Sequence, residues 1–191
     1  THSEKELEKP GERRRAKNTG LRRGGIVPRL DRIEGEGRIE EGKGREYVYY
    51  VIEGGVLGIL AFGSNGEFYV VEEDEMERGL KIMVDQAAGR VPVYFGIGAI
   101  STKKCCRLAK MAVANGAAGI SVLQPMFLKP TEDELYLHFK TIAASVPEPP
   151  MLLATHPDRV TYTISGQQVG RLALAVDTSG GRAATSWCNT P

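Results

Sequence analysis

The sequence predicts an α/β fold built around a parallel β-sheet, and two observations lead to this prediction. Short apolar runs of strand length alternate with amphipathic helical patterns, in units of roughly thirty residues. Several of these apolar runs lead directly into a glycine-containing turn, after which a helical pattern begins. Repeated strand–helix units imply right-handed crossovers and parallel neighbouring strands. Periodicity alone leaves open whether the sheet is doubly wound or part of a barrel.

Composition and charge narrow the class of protein. The chain has 191 residues, of which 41% are hydrophobic and 26% are charged, and its formal net charge is +1. This balance is typical of a globular domain and gives no reason to expect nucleic acid or a membrane as a partner. No apolar run reaches the length of a transmembrane helix, and the N-terminus has no hydrophobic signal core. Three cysteines without disulfide or zinc spacing favour a cytoplasmic location, and we expect neither a metal nor a cofactor.

Three zones of different composition divide the chain. Residues 1–24 are highly charged, and Leu7 and Leu21 are their only large apolar residues. Such a segment cannot bury enough surface to offset its ordering entropy, so a mobile tail is predicted. The alternative, an arm that binds anions or nucleic acid, is disfavoured by the interspersed glutamates. A folded domain is predicted over 26–181 and an irregular polar tail over 182–191.

Each element of the folded domain is predicted from its apolar pattern and its end signals. Strands are predicted at 26–28, 56–62, 91–97, 118–123, 151–153 and 174–176. Helices are predicted to end at Gly54, to span 72–88 and 101–115, and to begin at the capping boxes Thr131–Glu134 and Ser165–Gln168.

The turn Gly63–Glu67, which follows the strand at 56–62, is the strongest candidate for a functional site. Gly63 and Gly66 permit close approach of another group, while Ser64 and Asn65 present a hydroxyl, an amide and backbone N–H groups. The carboxyl ends of parallel strands open onto a shared crevice, where α/β proteins place their chemistry. A structural turn without a ligand is the alternative.

This turn also resembles a known one. Gly63-Ser64-Asn65-Gly66-Glu67 resembles the Gly-Thr-Thr-Gly-Glu turn of the dihydrodipicolinate synthase and N-acetylneuraminate lyase family. Further segments are similar to later turns, strands and helices of that family and follow in the same order: 91–98 with 101–102, 115–118, 124–127 with 135–139, 157–159 and 177–180. The resemblance covers about residues 26–181.

The resemblance implies a TIM (β/α)8 barrel, present here as a partial (β/α) barrel that stops after about the sixth strand. It implies a lyase or aldolase that binds pyruvate or another 2-oxo acid as a Schiff base on a lysine at the end of strand six. A tyrosine at the end of strand five and the hydroxyl of the turn relay protons in that family. The resemblance also implies a homo-oligomer, a dimer or a tetramer, in which a second tyrosine crosses the dimer interface.

Carried over residue by residue, the resemblance assigns the catalytic hydroxyl to Ser64. It assigns binding of the substrate carboxylate to Gly63, Asn65 and Gly66. It places Arg159 where the synthases bind the carboxylate of a second substrate, with a surface arginine as the alternative.

Three positions depart from the family pattern. The strand-five tyrosine aligns with Ala154, the interface tyrosine with Phe127 and the Schiff-base lysine with Val176. Since valine cannot form an imine, Lys129 is the candidate substitute for the lysine. Tyr162 is a candidate for the missing phenol.

Two alternative functions are considered beside this one, together with the remaining histidines and cysteines. A homologue impaired in catalysis, which binds a 2-oxo acid or only forms oligomers, is the alternative function. An unrelated phosphate-binding α/β protein is disfavoured, because the turn lacks the G-x-G-x-x-G and Walker patterns. His156 is a candidate general base, His138 is expected to be solvated or half-buried, and Cys105 and Cys106 are expected to pack as small apolar residues.

Overall fold

The computed structural model describes residues 26–28, 33–34, 38–63, 66, 68–146, 148, 150–155, 162–177 and 183–187. The strands are β1 (Ile26–Pro28), β2 (Ile33–Glu34), β3 (Arg38–Ile39), β4 (Gly58–Ala61), β5 (Val93–Ile97), β6 (Gly119–Leu123), β7 (Met151–Thr155) and β8 (Ala183–Trp187). The helices are α1 (Glu41–Glu53), α2 (Glu73–Ala87), α3 (Thr102–Ala114), α4 (Glu132–Ser145) and α5 (Gly166–Asp177), with a short 3-10 helix at Phe68–Val70. The predicted tail over 1–24 lies outside the described residues.

Six of the strands form one parallel sheet in the order β1-β4-β5-β6-β7-β8, which is the order of the chain. A doubly wound sheet reverses its direction of winding at a switch point, whereas a barrel winds in one direction throughout. Here the order never reverses, so the sheet belongs to a TIM (β/α)8-type barrel and contributes six of its strands. The short strands β2 and β3 pair antiparallel to each other between β1 and α1.

The hydrophobic core lies between this sheet and its helices. Residues of the central strands, such as Ile59, Phe95 and Ile120, are fully buried and belong to one cluster with residues of the helices. The contributions of the helices include Leu80 of α2 and Phe139 of α4, which have no exposed surface. The predicted amphipathic helices therefore bury the apolar stripes that their periodicity indicated.

The two predicted capping boxes differ in the structure. At α4 the box is complete, because the Thr131 hydroxyl accepts from the Glu134 N–H at 3.3 Å and the Glu134 carboxylate accepts from the Thr131 N–H at 2.7 Å. At α5 the Ser165 hydroxyl accepts from the Gln168 N–H at 3.2 Å, but the Gln168 amide donates to the carbonyl of Glu132 at 3.0 Å. Gln168 therefore ties α5 to the start of α4.

The end of the sheet differs from the prediction. Residues 174–176, predicted as a strand, lie in α5, and the sixth strand is β8, within the stretch expected to be an irregular tail. A run of three apolar residues fits either period, and Val169 and Leu172 extend the helical one through it. β8 has no long apolar run and pairs with β7 from Met151↔Ala183 to Thr155↔Trp187. Its strand conformation therefore comes from pairing with β7 rather than from a local pattern.

Among the helices that the structure describes, none has both the length and the apolar character that crossing a membrane would require.

Candidate active site

The carboxyl ends of β4 to β7 lie side by side at one edge of the sheet, and the predicted turn lies there. After β4 the chain bends at Phe62, whose φ of 54° is in the left-handed region. The Gly66 N–H donates to the Gly63 carbonyl at 2.8 Å, which closes the turn. Both glycines are buried. The predicted tight turn is confirmed, and its role in ligand binding stays a prediction.

The polar residues predicted for this site lie outside the described residues. These are Ser64 and Asn65 in the turn and His156 and Arg159 after β7. The structure therefore fixes the backbone on either side of Ser64 and Asn65 but describes neither side chain. The roles assigned to all four stay predictions.

Two glycines near the end of β5 let neighbouring groups approach the site closely. A Cβ at Gly96 would overlap the carbonyl of Phe62 and lie 3.0 Å from the nitrogen of Gly63. A Cβ at Gly98 would overlap the ring of Phe68. Because these positions have no side chain, the turn after β4 rests directly on the backbone of β5.

Gln124 is a buried polar residue that sequence reasoning did not select. It follows β6, is 1% exposed, and donates from its amide nitrogen to the carbonyl of Tyr162. The Tyr162 hydroxyl in turn donates to the carbonyl of Pro125 at 2.7 Å, and burial raises the pKa of this phenol. The chain after β7 is thereby fastened to the end of β6. Tyr162, the candidate for the missing phenol, is engaged as a donor in this link.

Two buried oxygens next to this link lack a hydrogen-bond partner among the described residues. They are Oε1 of Gln124 and Oγ1 of Thr155. The Gln124 N–H donates to the carbonyl of Ala154, the residue before Thr155, at 3.4 Å. Gln124 and Thr155 therefore lie at the ends of neighbouring strands. A glutamine directly after an apolar strand was the sequence signal for this polar position.

His138 of α4 and Cys105 of α3 are buried in the interior of the protein. His138 is 6% exposed rather than solvated or half-buried as expected, because α4 packs it against α3, where its Nδ1 lies 2.8 Å from the Thr102 hydroxyl. This burial lowers the pKa of His138. Cys105 is fully buried, as expected, and burial raises the pKa of its thiol to about 12. A thiol with so high a pKa is a poor nucleophile at neutral pH.

The described residues contain neither a metal cluster nor an inward-facing lysine. They include no group of three or more His, Cys, Asp and Glu side chains able to hold a metal ion. Their lysines are all exposed: Lys43, Lys81, Lys103, Lys104, Lys110, Lys129 and Lys140. An imine formed by any of them would lie on the surface in this conformation.

Comparison with known proteins identifies the family. The sequence profile of the Dihydrodipicolinate synthetase family matches residues 23–186. The chain belongs to this family.

Curated members of the dihydrodipicolinate synthetase family match at substantial identity but over part of their length. The 4-hydroxy-tetrahydrodipicolinate synthase of Thermus thermophilus is 35% identical over 148 residues, which are 78% of this chain and 50% of the relative. That of Trichlorobacter lovleyi is 39% identical over 137 residues, which are 72% of this chain and 47% of the relative. The chain thus spans about half the length of the curated relatives it matches.

Solved structures of the family superpose on the fold. Dihydrodipicolinate synthase from Aquifex aeolicus has a TM-score of 0.75 at 31% identity and covers 79% of this chain and 51% of its own. The chloride-inhibited enzyme from Acinetobacter baumannii, complexed with pyruvate, has a TM-score of 0.76 at 28% identity over 86% of this chain and 62% of its own. A sialic acid aldolase of Ruminococcus gnavus, at 18% identity, shares the fold with a TM-score of 0.77 over 88% of this chain and 54% of its own.

Val176 does not lie in the sixth strand. The resemblance placed the Schiff-base lysine there, with 174–176 predicted as that strand, but Val176 lies in α5 and the sixth strand is β8. A run of three apolar residues fits the end of a helix as well as a strand. The residues of β8 are Ala-Ala-Thr-Ser-Trp, so the strand itself contains no lysine either.

Two other family positions are described by the structure. Ala154, which the resemblance aligned with the proton-relaying tyrosine, lies near the end of β7 and is partly exposed. Phe127, which the resemblance aligned with the interface tyrosine, is 88% exposed with a φ of 75°, and the adjacent Leu128 is 83% exposed. Both lie in the loop after β6.

Proposed function

We propose that this protein is a lyase or aldolase of the dihydrodipicolinate synthetase family that acts on pyruvate or a related 2-oxo acid through a Schiff base. The observation that carries the proposal is the closed turn from Gly63 to Gly66 at the carboxyl end of β4, in a chain whose family is known. The family structures complexed with pyruvate, from Acinetobacter baumannii and Escherichia coli, support the choice of substrate.

In this proposal the turn holds the keto-acid carboxylate. The backbone N–H groups of the turn and the Asn65 side chain donate to the carboxylate oxygens, and fixed donors of this kind stabilise an anion without reorganising. The Ser64 hydroxyl relays protons to and from the reacting carbon, and Arg159 binds the carboxylate of a second substrate. An imine with a lysine serves as the electron sink.

A second candidate function is favoured by the composition of β7 and β8. β8 contains no lysine, and Ala154 cannot supply the phenol of the proton relay. A homologue with these residues would bind a 2-oxo acid at the turn without converting it. The two candidates differ in one observable, the covalent imine.

Borohydride trapping with pyruvate tests the proposal. The protein is incubated with pyruvate and sodium borohydride, and intact mass and peptide mapping locate any reduced adduct. We expect an adduct on one lysine, and Ser64→Ala should leave its position unchanged while lowering turnover. Lys129→Arg tests the substitute lysine. No adduct on folded protein, with pyruvate binding detected by calorimetry, would establish the second candidate. No binding at all would overturn both.

We also propose that the protein is a cytoplasmic homo-oligomer, a dimer or a tetramer. Large apolar side chains are exposed on the loops after β4, β5 and β6, at the same edge of the sheet: Tyr69, Val70, Ile100, Phe127 and Leu128. Exposed apolar residues gathered on one side of a protein are typical of an interface. The free thiols of Cys105 and Cys106 are consistent with a reducing compartment.

A further inference from the structure

The backbone of Ile39 in β3 is bound on both sides by side chains of α2. Its N–H donates to Oε2 of Glu75 at 2.9 Å, and its carbonyl accepts from Nη2 of Arg78. Glu75 and Arg78 are also paired with each other, with 3.2 Å between Arg78 Nε and Glu75 Oε1. Two side chains one turn apart on α2 thus hold Ile39 as a neighbouring strand would, and we call this arrangement the β3 clamp.

The clamp holds the side chain of Ile39 beside that of Phe62, the residue immediately before the candidate turn. A Cβ at Gly79 would lie 2.5 Å from Cδ1 of Ile39 and 2.8 Å from Cζ of Phe62. Both side chains therefore share the space that this glycine leaves open on α2. Ile39 is 5% exposed and Phe62 is 1% exposed, so the space that they share is closed to water.

Phe62 has a backbone conformation that needs such support. Its φ of 54° is unfavourable for a bulky residue, and conformations of this kind persist only where the surroundings hold them. The surroundings here are Ile39 and Gly79, the ring of Phe95 with its centroid 5.5 Å away, and Gly96 beneath the carbonyl. Rotation of Phe62 toward a negative φ would redirect the N–H groups of the turn that follows.

We propose that Glu75 and Arg78 are positioning residues for the turn, acting through Ile39 and Phe62. The inference rests on the proposed function, in which the N–H groups of the turn bind the carboxylate of a 2-oxo acid. Weakening the clamp is expected to loosen the turn and lower the affinity for pyruvate, while leaving the rest of the barrel folded.

The experiment compares variants of α2 and β3 in the full chain. Glu75→Ala removes the carboxylate that accepts from the Ile39 N–H, and Ile39→Ala removes the side chain that lies beside Phe62. Glu75→Gln keeps an oxygen that can accept from the Ile39 N–H and serves as the conservative rescue. Lys81→Ala is the matched control, because it breaks the Lys81–Glu77 ion pair of 2.7 Å on the same helix without touching Ile39.

Two readouts are needed. Hydrogen exchange of the Gly66 amide reports the closed turn directly, and exchange of α3 amides reports the stability of the barrel. We expect Glu75→Ala and Ile39→Ala to lower both the protection of Gly66 and the affinity for pyruvate by about tenfold or more. The α3 amides should change far less, Glu75→Gln should regain most of the loss, and Lys81→Ala should match the unmodified protein.

The outcomes separate this inference from the function on which it rests. Equal loss of protection at Gly66 and in α3, or an effect of Lys81→Ala as large as that of Glu75→Ala, would show a general packing role and overturn the inference. Failure of the unmodified protein to bind pyruvate would overturn the proposed function, and Gly66 exchange would still decide whether the clamp holds the turn. Arg78→Lys, a milder change, replaces Glu75→Ala if that variant does not fold.

Discussion

Gly96 shows at the scale of one residue how the sheet admits the candidate turn. The carbonyl of Phe62 lies where any side chain at this position would begin. A glycine in a strand usually weakens it, so its presence here marks a close backbone approach. The same residue type in α5, Gly170, has nothing within 4 Å of where its Cβ would lie. The two glycines therefore differ in their surroundings, because a Cβ would collide at Gly96 and would meet nothing at Gly170.

We expect Gly96→Ala and Gly170→Ala to change stability in opposite directions. The first forces the turn off β5 and should lower the free energy of unfolding by about 2 kcal/mol, as overpacking does. The second fills no contact and removes the entropic disadvantage of a helical glycine, which should add about 0.5–1 kcal/mol. Urea denaturation of both variants measures the difference. Equal effects would mean that the approach of Phe62 to β5 is not tight.

Between elements, α2 and α3 are joined by charged groups in the N-terminal half of each helix. The Glu73 carboxylate accepts from Nη2 and Nε of Arg107 at 2.6 and 2.9 Å, and Lys104 lies 3.2 Å away. The hydrogen bonds from Arg107, helped by Lys104, lower the pKa of Glu73 from 4.5 to about 2. The carboxylate is partly exposed, so the link is screened by salt.

This link should make stability depend on pH in a defined window. Because the pKa of Glu73 is lower in the folded state, its contribution is complete above about pH 4.5 and is lost as pH falls toward 2. The unfolding free energy of Glu73→Gln should therefore lie below that of the unmodified protein at neutral pH and converge with it at about pH 2. Denaturant titrations over this range test it, with the exposed neighbour Glu72→Gln as control. A gap that stays constant with pH would contradict the assignment.

How far the sequence predicts an element depends on whether its pattern is local. The box at Thr131 and the long amphipathic pattern over 72–88 specify α4 and α2 by themselves, and both were predicted within a residue or two. The three apolar residues at 174–176 carry no such information, so the end of α5 was mistaken for a strand. β8 is defined by pairing with β7, a long-range contact that no local pattern reveals.

The candidate site also combines features that are local in sequence with features that depend on long-range contacts. Gly63 and Gly66 were found because the turn is contiguous in sequence. The β3 clamp was missed because it joins residues almost forty positions apart, although an isolated glycine at 79 inside a helical pattern was a usable signal of close packing. Ser64 and Asn65 were selected as part of this turn, Arg159 was selected by resemblance, and the roles of all three stay predictions.

For the whole molecule, the order of the sheet decided what periodicity could not. Six strands that pair in chain order exclude a doubly wound sheet, since that fold requires a reversal. In a barrel of this type, the loops that lead from a strand to the next helix all lie at the same edge of the sheet. The exposed apolar residues of the loops after β4, β5 and β6 therefore share that edge with the candidate turn.

Phe127 and Leu128 provide the sharpest test of self-association at this edge. Phe127 combines 88% exposure with a φ of 75°, two features that are unfavourable in a monomer and that burial of its ring against a second copy would offset. Asparagine tolerates a positive φ, so Phe127→Asn should keep or raise the stability of the folded chain. The same change should weaken the oligomer by about tenfold or more, as loss of an aromatic anchor does.

Sedimentation velocity over a concentration series measures the association of each variant. Leu128→Gln should weaken it as well, whereas Leu137→Gln removes a leucine that is 62% exposed on α4, away from this edge, and should have no effect. Equal weakening by both leucine variants would place the interface elsewhere. A protein that stays monomeric at all concentrations would overturn the proposal of an oligomer, and the left-handed conformation of Phe127 would then be expected to destabilise the folded chain without any compensating contact.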